Sequence, residues 1–101
     1  MALIYHFEWD PAKEHSNAAK HRVTFRLATT VFRDQLALTI FDEEHSENEE
    51  RWVTLGRAES EQHLVVVHTV LHTSSTEVLI RIISARTADK QEIRDYQETP
   101  R

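Results

Sequence analysis

The stretch His63-Leu64-Val65-Val66-Val67-His68-Thr69-Val70-Leu71-His72, followed by Thr73-Ser74-Ser75-Thr76 and then Glu77-Val78-Leu79-Ile80-Arg81-Ile82-Ile83-Ser84-Ala85, decides the fold class. β-Branched and aliphatic residues fill both runs, and short polar residues separate them, which is the pattern of two strands joined by a turn. Upstream, Arg51 to Arg57 reads as another strand, with Arg51, Val53, Leu55 and Arg57 on one face and Trp52 and Thr54 on the other. Connections this short predict that the last three strands form an antiparallel meander. Leu36 to Phe41 and residues 2–9 are further strand candidates. Between them the apolar period changes. Asp10-Pro11 reads as an N-cap followed by proline at the first helical position, predicting a helix to about His21. Thr24 caps a second short helix whose Phe25, Ala28, Val31 and Phe32 share one face. Thr87 is the expected cap of a last helix from Ala88 to Gln97, docked by Ile93 and Tyr96. The single glycine, Gly56, lies inside a strand pattern and marks a bulge or a close backbone approach. The expected fold is α+β: a twisted antiparallel β-sheet with helices packed on one side, as one domain over residues 1–101.

Composition excludes several classes. There is no cysteine, so disulfides and thiolate zinc sites play no part. The opening residues lack the basic and long apolar regions of a signal peptide, and no apolar run approaches a membrane span, so the expected location is the cytoplasm, with no membrane partner. The net charge of −5 argues against nucleic-acid binding at first sight, but six of the 17 acids lie between Asp42 and Glu50. The remaining eleven acids are outnumbered by the twelve Lys and Arg, which leaves room for a basic groove elsewhere. The acidic segment itself is expected to lie away from such a groove, facing solvent or a basic partner surface, because its carboxylates would repel a phosphate backbone.

No glycine-rich phosphate loop, zinc-ligand spacing or nucleophile elbow is present, and no cofactor is expected. What the sequence offers is a set of basic residues near element ends: Lys20, His21, Arg51, Arg81 and Arg86. Lys13, Asn17, Lys20 and His21 recur at spacings of four, three and four, and so share one side of the first helix. Such a set suits RNA cleavage. A base takes the ribose 2′-hydroxyl proton, the freed oxygen attacks the adjacent phosphate, and fixed cations stabilise the charge that develops. The nucleophile belongs to the substrate, so neither a protein nucleophile nor a metal is required. Each residue also has a plainer reading. Lys20 and His21 suit a solvated helix end. Arg51 suits a pair with Glu49 or Glu50. Arg81 and Arg86, five positions apart, fall on opposite faces of an unbroken strand, and only a bulge or strand end near Ser84-Ala85 brings them to one side. His68 reads as a satisfied core histidine, and Trp9 and Trp52 as core rather than base-stacking platforms. Asp42, Glu44 and His45 lack metal-ligand spacing.

Taken in order, these pieces resemble the BrnT toxin family. Phe7-Glu8-Trp9-Asp10, Lys13, Asn17 and Lys20-His21-Arg22-Val23 are similar to its opening. Phe25, Ala28 and Val31-Phe32-Arg33-Asp34 follow. His45-Ser46, Glu50-Arg51 and Gly56 resemble its middle signature, and Arg81 to Arg86 with Ala88, Glu92 and Tyr96 its closing one. The resemblance covers residues 7–96. It implies a RelE-like fold and a ribonuclease toxin that arrests translation; on the residues' own chemistry, Lys20, Arg51, Arg81 and Arg86 are expected to bind and stabilise phosphate and His21 to transfer the proton, without a metal. It also implies a BrnA-like antitoxin carrying a ribbon-helix-helix domain, a complex of two toxins with two antitoxins, and operator DNA bound only through the antitoxin. Two departures stand out. Arg22 occupies the place of a family glycine, which costs strain if the position needs positive φ. The last helix carries Asp89, Glu92 and Asp95 against Lys90 and Arg94, and so grips RNA poorly. Both favour an alternative, a degenerate toxin fold that only binds its antitoxin and helps to repress an operon.

Overall fold

A computed structural model describes residues 3–100 of the chain. Its elements run β1 (Ile4–Glu8), α1 (Pro11–His21), α2 (Phe25–Thr29), a 3₁₀ turn (Thr30–Arg33), β2 (Leu38–Phe41), a second 3₁₀ turn (Glu43–His45), β3 (Trp52–Arg57), β4 (His63–His68), β5 (Leu71–His72), β6 (Glu77–Thr87) and α3 (Lys90–Glu98). The expected strand over residues 2–9 is thus β1, with residue 2 outside the described residues. The segment from Asp42 to Glu50 is a loop around its 3₁₀ turn, as expected.

The sheet runs in the order β1-β6-β4-β3-β2, with the short β5 also on β6. Strands β2, β3, β4 and β6 form the expected antiparallel part. An all-antiparallel sheet is nevertheless not what forms: β1 lies parallel to β6, from Ile4 opposite Glu77 to Glu8 opposite Arg81. The reason is distance along the chain. A hairpin forces neighbours to be antiparallel, but β1 reaches β6 across the whole intervening domain, where either direction is open. The expected strand His63 to His72 is also two strands. Val67 faces Ser84 but His68 faces Ile82, so Ile83 is an extra residue on β6. At this bulge the ladder is taken up by Thr69, whose hydroxyl accepts from Arg81 N at 3.3 Å while its own N–H donates to Arg81 O at 3.0 Å.

The bulge resets the faces of β6. Val78, Ile80 and Ile82 are buried, and the next buried residue is Ala85, three positions on rather than two. These side chains join Leu64 and Val66 of β4 and Val23, Phe25, Ala28 and Val31 of the helical layer in one core. Gly56 marks a close approach, the second of its two readings: a Cβ there would stand 3.0 Å from Val31 Cβ and 3.2 Å from Ala37 Cβ. His68 is a satisfied core histidine, as expected. Its Nε2 meets the Thr54 hydroxyl at 2.6 Å, its Nδ1 meets Thr69 O at 3.1 Å, and Thr54 in turn meets Thr39 at 2.8 Å. A carbonyl only accepts, so Nδ1 carries the proton and the Thr54 hydroxyl donates to Nε2. Burial lowers the pKa of this imidazole.

The first two helix starts follow their caps. Asp10 accepts from Ala12 N at 2.9 Å with Pro11 in the first turn, and Thr24 accepts from Leu27 N at 3.1 Å. The last does not. Thr87 is still paired in β6 opposite Leu64, and Asp89 caps α3 in a capping box with Glu92. A carboxylate with a glutamate three residues on satisfies two terminal N–H groups at once, which a threonine in a strand cannot do. Tyr96 docks α3, with its hydroxyl 2.7 Å from Asp34 and its ring edge-on to His63 at 4.7 Å.

Candidate functional site

Pairing register places Arg81 and Arg86 on one face. With Ile83 bulged and Ala85 turned to the core, both arginines lie on the side of β6 away from the helical layer. Trp52, the first residue of β3, lies opposite the buried His68, so Arg51 just before it alternates to that same open side.

Arg51 and Arg81 converge. Glu49 Oε1 lies 3.6 Å from Arg51 Nη2, and Glu49 Oε2 is bonded to Arg81 Nη2. Arg51 Nε is buried and has no hydrogen-bond partner. A donor left in that state costs about 1–3 kcal/mol, so this arginine is placed at the expense of stability. The acidic loop therefore does not lie away from the basic residues: it inserts one carboxylate between two of them. Its closure explains this. Ser46 Oγ donates to Asp42 O and accepts from Arg51 N at 3.0 Å, and Asp42 N donates to Arg51 O at 2.9 Å. The loop is thus tied shut at its two ends, and Glu49, two residues before Arg51, folds over the open face. Glu44, His45, Glu47, Asn48, Glu49 and Arg51 line a cleft of about 500 Å³. His45 sits in it with Nδ1 bonded to Asp42 Oδ2 at 2.9 Å.

Lys20 and His21 form a second station. Past Glu8, β1 no longer covers the edge of β6, and α1 takes its place. The buried Asn17 carboxamide donates to Ala85 O at 2.8 Å and to Val23 O at 3.2 Å, and accepts from Ala85 N at 3.1 Å. One side chain thus satisfies both backbone groups of a residue with no strand partner on that side. Beside this clamp, Lys13, Lys20, His21 and Ser84 line a cleft of about 270 Å³. Arg22 closes α1 with φ 58 and ψ 31, a left-handed conformation.

Arg86 joins neither station. Its guanidinium makes a two-pronged pair with Glu92, at 2.8 and 2.9 Å. That hydrogen bond raises the pKa of Arg86 and lowers that of Glu92. The start of α3 is accordingly filled by its own carboxylates, Asp89 and Glu92. Among the five basic residues singled out in the sequence, the structure therefore joins Arg51 with Arg81 and Lys20 with His21, and holds Arg86 as a brace between β6 and α3.

Sequence reasoning missed three contributors. Asn17 was placed on the polar side of α1 but not in the clamp, since nothing local signals a buried amide. Glu49 is one of the two expected partners of Arg51, and that pair forms, but its second bond, to Arg81, has no local signal, and Asp42 was weighed only as a metal ligand within the acidic run. The loop-closing Ser46 beside His45 was the available signal that these residues have fixed positions. Among the described residues no three His, Asp or Glu side chains are grouped so as to hold a metal ion, and no helix is long and apolar enough to cross a membrane.

The profile of the family described as "Ribonuclease toxin, BrnT, of type II toxin-antitoxin system" matches residues 9–92. The chain belongs to this family. The match spans both basic stations, the acidic loop, the β6 bulge and Glu92 at the start of α3. Among solved structures, the BrnT ribonuclease toxin of Brucella abortus has a similar fold, with a TM-score of 0.56 and 21% identity over 89% of this chain and 99% of that one. No curated protein sequence matches the chain. Membership makes the chain one of a family of ribonuclease toxins, and a type II module implies an antitoxin partner.

Proposed function

We propose that the chain cleaves RNA without a metal ion, on the open face of the sheet, and thereby inhibits translation in the cytoplasm. The observation that carries this reading is the convergence of Arg51 and Arg81 on one carboxylate. Two guanidinium groups that reach the oxygens of one carboxylate also reach those of one phosphate, and guanidinium geometry suits both anions. In this reading Glu49 holds the place that a scissile phosphate takes. Lys20 and His21, beside Ser84, hold a neighbouring phosphate. Ser84 is three positions beyond Arg81 on β6, with Ile82 and the bulged Ile83 between them, at most roughly 10 Å at the usual rise, a span that extended RNA covers within a few nucleotides. Arg86 contributes by fixing β6 against α3.

The partner in this reading is a BrnA-like ribbon-helix-helix antitoxin in a complex of two toxins and two antitoxins, with operator DNA contacted only through the antitoxin, and the fold is read as RelE-like. Ile40, Leu71 and Ile4 are 65, 57 and 54% exposed and lie on the same side of the sheet as the arginines by register. Exposed apolar side chains around a cationic site are what such a partner would cover. The alternative, a binding module without activity, draws support from the internal carboxylates that occupy Arg81 and Arg86.

One experiment tests the choice. Purified protein is incubated with RNA in excess EDTA. Cleavage is expected to persist, and Arg81→Ala is expected to lower its rate by about 10²–10³-fold, the usual cost of losing one charge-stabilising donor. Loss of cleavage in EDTA with recovery on adding a divalent ion overturns the metal-free mechanism. No cleavage by the native chain selects the binding module.

A further inference from the structure

Resting on the ribonuclease reading, we infer that His45, oriented by Asp42, and Glu49 are the acid and base of the reaction at the Arg51–Arg81 phosphate site. His45 Nδ1 lies 2.9 Å from Asp42 Oδ2 and 3.2 Å from Oδ1, while its Nε2 makes no hydrogen bond among the described residues. A carboxylate only accepts, so Nδ1 carries a proton and Nε2 is the nitrogen left to exchange one. Asp42 is itself held, through its backbone bonds to Arg51 and Ser46, so the imidazole is positioned by the loop closure that ends just before β3. His45 lines the same cleft as Glu49 and Arg51. His21, in contrast, lies at the other station, across the β6 bulge from Arg81.

The chemistry closes with these groups. A phosphate that takes the arginines displaces the Glu49 carboxylate from them but leaves it beside the site. Glu49 then accepts the 2′-hydroxyl proton. O2′ attacks phosphorus, the P–O5′ bond breaks, and the departing O5′ takes the proton from Nε2 of the His45 imidazolium. The products are a 2′,3′-cyclic phosphate and a free 5′-hydroxyl. Glu49 returns its proton to water and His45 regains one, so no oxidant, metal or protein nucleophile enters. The charged groups around His45 are Asp42, Glu44, Glu47, Glu49 and Arg51, with Arg81 reached through Glu49.

The test compares two substrates at a series of pH values, using the full chain and its His45→Gln, Glu49→Gln and Asp42→Asn variants. The first is an oligoribonucleotide. The second is a uridine 3′-phosphodiester with a 4-nitrophenyl leaving group, which departs without a proton. His45→Gln is expected to lower RNA cleavage by about 10²–10⁴-fold, the range for a lost general acid, yet to cleave the activated ester within about tenfold of the native rate. Glu49→Gln is expected to lose about 10²–10⁴-fold on both substrates, leaving a measurable residual rate. The native rate should rise and then fall with pH. His45→Gln should lose the alkaline limb and Glu49→Gln the acidic one. Asp42→Asn, which loosens the imidazole, should fall between native and His45→Gln on RNA. His45 is exposed on a loop, and circular dichroism confirms that each variant is folded. Native-like RNA cleavage by His45→Gln, or equal losses on both substrates with both pH limbs intact, overturns the assignment. If Arg81→Ala abolishes cleavage while His45→Gln does not, the ribonuclease reading stands and only this inference falls.

Discussion

Arg22 shows how one side chain can oppose its own backbone. The residue ends α1 at φ 58, and its N–H donates to Ala18 O at 2.9 Å to close the last turn. That bond fixes the left-handed geometry whatever residue stands there. A side chain with a Cβ pays about 1–2 kcal/mol for this conformation, while glycine adopts it freely. Arg22→Gly is therefore expected to raise the unfolding free energy by about 1 kcal/mol in urea titrations, part of the relief being offset by the glycine's greater freedom when unfolded. A lower stability would show that the Arg22 side chain contributes more than its strain removes. The same substitution leaves Asn17 untouched, so the Lys20–His21 cleft should keep its shape. The glycine-like demand at this position was legible in the sequence from the helix end and the resemblance, and the φ value meets it.

At the scale of elements, the α1–β6 seam decides where the site can be. β1 stops pairing at Arg81, and from there the edge of β6 is completed by a helix rather than a strand. Asn17 makes this possible through its three hydrogen bonds to Ala85 and Val23. Asn17→Leu keeps the volume but leaves buried backbone N–H and C=O groups without partners, each costing about 1–3 kcal/mol. The expected loss is about 2–4 kcal/mol in chemical denaturation, with faster hydrogen exchange at the Ala85 amide. Unchanged exchange there would mean that water or β6 itself replaces the clamp. The bulge at Ile83 belongs to the same seam. Without it, Arg81 and Arg86 would point to opposite faces, and Ser84 would not line the cleft with Lys20.

At the scale of the whole molecule, His68 and Glu92 couple stability to acidity. His68 is buried and its pKa is lowered below the ordinary 6.5 by that burial. Above 6.5 both folded and unfolded imidazoles are neutral. As pH falls below it, the unfolded chain takes up the proton first, so stability declines until the lowered folded value is passed. Glu92 is lowered below its ordinary 4.5, chiefly by the hydrogen bond from Arg86. Its contribution is present above 4.5 and is lost as pH falls through the lowered value. Urea unfolding across pH should therefore show a stability plateau above neutrality, a first decline beginning near 6.5 and a second beginning near 4.5. His68→Gln is expected to remove the first decline and Arg86→Ala to shrink the second. A first decline that survives in His68→Gln would assign it to another histidine.

What the chain determined by local chemistry was its elements. The Leu64 to Val67 run, the Asp10-Pro11 and Thr24 helix starts, the apolar face Phe25, Ala28 and Val31, and the polar turn at residues 73–76 all express propensities and periods that act over a few residues. The core histidine and the close approach at Gly56 were legible for the same reason, since each sits on a face fixed by alternation. Only the tertiary structure decided the parallel placement of β1, the extra residue at Ile83, the clamp at Asn17 and the fold-back of Glu49 onto Arg51 and Arg81. Each of these joins residues distant in sequence or depends on a register between strands, and no period within one segment encodes it. The basic residues could be picked out from their types and positions, but which of them share a phosphate was settled by a bulge and a loop closure, because single-residue shifts in register turn side chains from one face of a sheet to the other.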